Sequence, residues 1–251
     1  MTRDHLDDSL AQLTAEVVAC RKCPRLVEWR EEAAADPPAR YATEEYWARP
    51  VPGFGDREAR VLVVGLAPAA NGGNRTGRVF TGDRSGDFLF ESLHRTGFAN
   101  QPTSVSLDDG LVVSGLYVAA VVRCAPPDNQ PTPLERDTCL PFLVREMRLL
   151  PNLKVIVALG AFAWDGALRA VKELGARPLV RPKFGHLAEE RIGDRWMLGS
   201  FHPSQQNTFT GRLTPAMLDD VMHRARTLAG LDDGDDRAPG RPSAPNGGEP
   251  R

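Results

Sequence analysis

The stretch VLVVGLAPAANGGNRTGRVFTGDRSGD, residues 61–87, decides how the chain is read. It opens with branched apolar residues that suit a strand buried on both faces, then turns abruptly into small, glycine-rich and polar residues. Gly65, Gly72, Gly73, Gly77 and Gly82 let the backbone approach a ligand closely, and Arg75 and Arg78 offer cationic donors suited to phosphate. The glycines are spaced neither as a Walker loop nor as G-x-G-x-x-G, so neither nucleotide fingerprint applies. Phe80, an aromatic among polar residues, is followed three positions later by Asp83. That pairing marks the loop as a binding element and not only a mobile surface turn.

Working outward, three more apolar runs read as strands: Leu111 to Val122, Lys154 to Leu159 and Arg195 to Phe201, beside Arg60 to Leu66 for the first. Helical patterns separate them. Ser85 or Asp87 can cap one through Leu89 and Leu93, and Thr132-Pro133-Leu134-Glu135 is a capping box with proline at the first helical position. Another runs through Ala167, Leu168, Val171 and Leu174 to Gly175, and Thr214-Pro215 opens the last, closed by Gly230. Strands alternating with helices predict a three-layer αβα fold around a central four-stranded, mostly parallel sheet. In such sheets ligands bind beyond the carboxyl ends of the strands. Here those ends carry the glycine loop, the turn PPDNQ and His202-Pro203-Ser204, so three distant segments are expected to share one cleft.

The chain has 251 residues, 41% hydrophobic and 25% charged, which suits one domain over residues 1–230. Residues 231–251, rich in Asp, Pro and Gly, read as a disordered tail. With no leader pattern and no long apolar run, a cytoplasmic, nucleoid-associated monomer with no membrane partner is expected. The formal charge of −2 argues against a polybasic coat for nucleic acid, but Arg177, Arg181, Lys183, Arg191, Arg195 and Arg212 make one segment basic enough to meet a few phosphates.

The four cysteines are Cys20 and Cys23 in a C-x-x-C followed by Pro24, then Cys124 and Cys139 far downstream. Without a signal peptide, disulfides are not expected. A thioredoxin-type site should open a helix after a strand, whereas an amphipathic helix (Leu6, Leu10, Leu13, Val17) reads as running up to Cys23. A zinc site usually has two tight knuckles, and the second pair is wide. Dispersed thiolates suit an iron-sulfur cluster, with zinc and four unrelated buried cysteines as alternatives. Residues Trp29 to Gly55 show no sustained period and read as an irregular wrap around that centre.

Taken together, G-L-A-P-A with N-R-T-G-R-V-F-T-G-D (65–83), R-C-A-P-P (123–127), H-P-S followed by Q-N-T-F-T-G-R-L-T (202–214) and the early C-x-x-C-P closely resemble the type B, or family 5, iron-sulfur uracil-DNA glycosylases. The resemblance spans roughly residues 10 to 230. It implies a glycosylase fold, a [4Fe-4S] cluster on Cys20, Cys23, Cys124 and Cys139, and removal of uracil and other deaminated bases from double-stranded or single-stranded DNA in base excision repair. Leu66 and Ala120 stand where type A enzymes carry an acidic residue and a base-reading asparagine, so broader base choice, including hypoxanthine and etheno-cytosine, is expected.

Within that reading each residue has a task. Phe80 is the stacking platform for an extruded base, and backbone groups at Gly65 and Ala67 read its edge. Asp83 steers water or stabilises the cationic sugar, unless it only caps the next helix. His202 donates to the departing base, unless it merely satisfies a tight turn. Asn129 is a further catalytic candidate, inseparable by sequence from Asp128. Arg75, Ser204 and Arg212 are the phosphate candidates. Two other classes remain: a non-catalytic iron-sulfur nucleic-acid-binding or redox-sensing module, and a zinc-stabilised nucleotide hydrolase.

Overall fold

A computed structural model describes residues 8–232. Of the tail expected over residues 231–251, residues 233–251 lie outside the described residues, as does the first turn of the helix expected around Leu6. Among the described residues, six strands form one sheet. The four central ones are the expected four: β2 (Val61–Gly65), β3 (Leu116–Ala120), β4 (Val155–Leu159) and β6 (Arg195–Ser200), all mutually parallel. Nearly every residue of these strands is buried, as a sheet covered on both faces requires. Two short antiparallel edges, β1 (Phe54–Gly55) and β5 (Glu189–Ile192), were not legible in sequence. β5 alternates charged and apolar residues only weakly, and it forms because β6 offers it an open edge. The order across the sheet is β1-β3-β2-β4-β6-β5.

One layer holds α1 (Leu10–Val18), α5 (Pro133–Leu149) and α6 (Ala161–Glu173); the other holds α4 (Arg84–Arg95) and α8 (Pro215–Ala229). The capping box at Thr132 and Glu135 forms as expected, with both reciprocal hydrogen bonds. Gly230, in the left-handed region, ends α8.

Three expectations need correction. The wrap after Trp29 is a helix at its start: α2 runs Pro24–Ala35. It escapes the periodicity test because one position of its inner stripe, beside Leu26 and Val27, is the buried Arg30. The first helix stops at Val18, so Cys20 to Cys23 joins two helices and Cys23 is the N-cap of α2. The second strand is shorter than the apolar run, because Gly115 takes a positive φ and turns the chain before Leu116.

The parallel register decides where the chemistry falls. Gly65 pairs with Ala120, Val64 with Ala158, and Leu159 with Ser200. The glycine loop, the Cys124 segment and His202 therefore leave the sheet at one rim.

Candidate active site

After β2 the chain makes the short helix α3 (Gly73–Thr76) and reaches Phe80, whose φ of 53° is left-handed and uncommon for a bulky side chain. Its ring lies on the end of β2: a Cβ built on Gly65 would be 2.6 Å from Phe80 Cζ. Its centroid is 6.0 Å from that of His202, with the planes inclined by 35°. Phe80 and His202, far apart in sequence, thus face each other across the rim.

His202 follows β6 and packs on Gly160, the N-cap of α6, where an added Cβ would lie 3.3 Å from the His202 Cβ. Its carbonyl accepts from Asn207 Nδ2 at 2.8 Å. Burial pushes the imidazole down to about 4. At neutral pH it is an uncharged imidazole. No ring hydrogen bond to another described residue occupies it, which leaves a ring N–H for a ligand.

Asp83 is the N-cap of α4, a position expected for Ser85 or Asp87; its Oδ1 accepts from Gly86 N at 2.9 Å. Capping uses only this oxygen, since the other faces Gly72, where any Cβ would collide with it. Burial raises the Asp83 pKa above the ordinary carboxylate value, with Asp87 adding to it, against the amides of Gly86 and Ser85 and the charge of Arg75. A carboxylate so placed is a stronger base than one in water.

Asp83 and Gly72 line a cleft of about 760 Å3 together with Ala69, Ala70, Asp128 and Asn129. Asp128 and Asn129 both have positive φ, 53° and 55°, in a single 3-10 turn that presents them to this cleft. Trp29 and Tyr41, from the segment read as a wrap, form part of its wall. Nothing in their local pattern marked them, since only the path of α2 brings them there. Ala67 follows Gly65 at the same rim and is half-buried.

The phosphate candidates divide. Arg75 is tied inward: it pairs with Glu44, donates to Asn71 O at 2.9 Å and Gly82 O at 3.0 Å, and lies over the Tyr41 ring. Arg78 is buried and paired with Asp109. Burial opposes ionisation of Asp109, but Arg78 and the amides of Val105, Leu111 and Ser106 outweigh it and hold the carboxyl at about 2. Both arginines hold the loop; Arg78, buried and paired, is not the free cation the sequence suggests, while Arg75 also lines the cleft. Arg212 is exposed and stacks over Phe201 at 4.6 Å, and Ser204 caps α7 (Gln205–Phe209) without a side-chain cap bond. These two stay open to a ligand.

All four cysteines are free and line one small cavity with Lys22, Leu26, Arg123 and Phe142. Arg30 Nη1 donates to Cys124 Sγ at 3.1 Å, and Arg123 N to Cys139 Sγ at 3.3 Å. Burial pushes Cys124 up to about 11 and Cys139 up to about 12; Cys23 moves up for the same reason, with Cys20 beside it. Buried thiols such as Cys124 and Cys139 become thiolates only with positive charge beside them, and donated N–H bonds to sulfur are what a cluster's ligands need. The donor set fits an iron-sulfur cluster. Among the described residues no three His, Cys, Asp or Glu side chains are grouped as a single-ion site.

The fold is that of an α/β enzyme: at the carboxyl rim of the sheet Phe80 meets His202, while Asp83 lines with Asp128 and Asn129 a cleft whose wall includes neither ring. Residues 52–226 match the Uracil DNA glycosylase superfamily. A type-5 uracil-DNA glycosylase of Mycobacterium tuberculosis is 53% identical over 227 residues, 89% of this chain and 83% of that protein. One of Thermus thermophilus is 50% identical over 216 residues, 86% and 96% of the two chains. A type-4 uracil-DNA glycosylase of Thermotoga maritima is 31% identical over 159 residues, 61% of this chain and 69% of that protein. The chain belongs to the uracil DNA glycosylase superfamily, in its type-5 branch. Among the described residues, no helix is long and apolar enough to cross a membrane.

Proposed function

We propose that the protein initiates base excision repair by hydrolysing the N-glycosidic bond of uracil, and of other deaminated bases such as hypoxanthine and the damaged base etheno-cytosine, in double-stranded DNA. The observation that carries this reading is the approach of Phe80 to His202 at 6.0 Å, with Asp83 oriented into the adjoining cleft beside Asn129. An enzyme that acts on a base must unstack it, at a cost of a few kcal/mol, and recover that cost in its pocket. Phe80 supplies a stacking face worth about 1 to 3 kcal/mol per base, and the backbone around Gly65 and Ala67 supplies hydrogen bonds to the base edge.

As the bond between C1′ and the base nitrogen breaks, its electron pair leaves with the base and positive charge grows on the sugar. Asp83 stabilises that charge and takes a proton from the water that adds to C1′. The neutral His202 donates a hydrogen bond to the base oxygen as negative charge arrives there. Asn129 orients the water or the base. Ser204 and Arg212 contact the DNA backbone beside the extruded nucleotide. A monomer suffices, since these groups all come from one chain.

Cys20, Cys23, Cys124 and Cys139 would hold a [4Fe-4S] cluster, which when bound supplies structural cross-linking of α2 to the segment leading to Asn129. The hydrolysis itself needs only the protein's own side chains. A non-catalytic nucleic-acid-binding module is not favoured, since the relatives matching most of the chain are named uracil-DNA glycosylases.

The test is incubation with end-labelled duplexes carrying uracil, hypoxanthine or etheno-cytosine, followed by alkali. Strand cleavage at the lesion is expected, most simply at uracil. Intact strands after incubation with cluster-containing protein would contradict the reading.

A further inference from the structure

Phe80 holds an unfavourable backbone conformation, and the structure devotes a buried ion pair to its flanks. Arg78, two residues earlier, is 6% exposed. Its Nε donates to Thr81 Oγ1 at 3.0 Å, and its Nη2 to Ser104 Oγ at 2.9 Å and Asp109 Oδ2 at 2.5 Å. Asp109 also accepts from the amides of Val105 at 2.7 Å, Ser106 at 3.3 Å and Leu111 at 3.0 Å. The Ser104 carbonyl accepts from Gly82 N at 2.9 Å. Both flanks of Phe80 are therefore fastened to the loop between α4 and β3. Behind it there is no slack: a Cβ on Gly86 would lie 2.6 Å from the Phe80 carbonyl carbon.

A residue in a sparsely populated conformation persists only where its surroundings over-determine it. Neither Arg78 nor Asp109 is needed to close the sheet, and burying a charged pair is seldom a gain in stability over apolar packing. We propose that Arg78 and Asp109 are positioning residues for base excision: the pair holds Phe80 in its left-handed conformation, which sets the plane on which the extruded base stacks. The loop 101–113 is then part of the active site by mechanical connection. This rests on the glycosylase reading above.

The decisive experiment is a double-mutant cycle on single-turnover excision of uracil from a duplex. Arg78→Met keeps a chain of similar length while removing the guanidinium, which bonds Asp109 and lies 5.5 Å over the Phe54 ring. Asp109→Asn and Ser104→Ala are the milder partners, in case Arg78→Met folds poorly. Each is combined with Phe80→Ala. If the pair acts through Phe80, Arg78→Met lowers the rate by about tenfold or more in the wild-type background and by no more than about threefold once Phe80 is gone, within the range of coupling that contacting networks show. Asp109→Asn and Ser104→Ala should show smaller effects that vanish in the same way. Equal losses in both backgrounds would mean a general structural role and overturn the inference while leaving the glycosylase reading intact. Wild-type protein that releases no base would defeat both.

Discussion

Arg30 is bound on two sides at once: its guanidinium donates to Cys124 Sγ, and its backbone carbonyl receives Asn74 Nδ2 at 3.0 Å. Asn74 is fully buried in the glycine loop, in α3. The relation between Arg30 and Asn74 thus joins the cysteine centre to the loop that carries Phe80 and Asp83. It predicts that Arg30→Met, which leaves Asn74 its carbonyl but deprives Cys124 of a donor, lowers iron content and visible absorbance before it lowers excision per cluster. Iron assay and turnover on the same preparation check this.

Gly72 faces the Asp83 carboxylate so closely that no side chain fits between them. Gly72→Ala should displace the carboxylate by the order of an ångström and cost about 10²-fold in excision rate, as small misplacements of catalytic groups do. DNA affinity should barely change. Gel-shift titration beside single-turnover kinetics separates the two effects.

Removing the proposed donor has a comparable scale. His202→Ala should reduce the rate by about 10² to 10³, the scale of losing an oxyanion donor. Because the imidazole already titrates near 4, the rate should not fall as pH rises through 6.5, the ordinary histidine value. It should fall on the acid side, as Asp83, with its raised pKa, takes up its proton. A rate profile from acid to neutral pH, with Asp83→Asn as comparison, reads this directly.

The same two groups act oppositely on stability. His202 has a lowered folded pKa, so the unfolded chain binds its proton first; the stability contribution is present above 6.5 and is lost as pH falls toward about 4. His202→Gln should flatten melting temperature over that window. Asp83 has a raised folded pKa, so its contribution is present at acid pH and is lost as pH rises through that value. Asp83→Asn should therefore raise the melting temperature near neutrality while abolishing activity.

Arg123 and Glu146 form a pair that is almost wholly buried, 1% and 2% exposed, joined at Nη1 to Oε1 over 2.9 Å. Glu146→Ala leaves the arginine charge uncompensated next to Cys124 and should lower the unfolding free energy by about 3 to 5 kcal/mol. Urea titration of the variant measures it.

What the sequence disclosed was what burial and turn chemistry write locally. Four two-sided apolar runs announced the central strands, the Thr132 box announced α5, and the residues after each strand announced the rim. Some of its failures come from polar contacts that only the fold brings together, and others, such as β5 and the turn at Gly115, from geometry with no local signature. Arg30 broke the stripe of α2, so Trp29 and Tyr41 were not seen as walls of the cleft. Arg75 and Arg78 looked like phosphate ligands because no local pattern reveals Glu44 or Asp109, their partners across loops. Asp83 reads from sequence as a cap or as a catalyst, and its two oxygens, one on Gly86 N and one over Gly72, show that capping leaves the second oxygen available for the proposed role.

The central claim is that Phe80, Asp83 and His202 surround one extruded base. It is tested most directly by a structure of the protein bound to a duplex containing 2′-fluoro-2′-deoxyuridine, which resists hydrolysis. The account predicts the uracil ring flipped out and stacked on Phe80, a His202 ring nitrogen within hydrogen-bond distance of a base oxygen, and the Asp83 carboxylate facing C1′. Uracil bound anywhere else on the protein, or left stacked in the duplex at saturating protein, would contradict it.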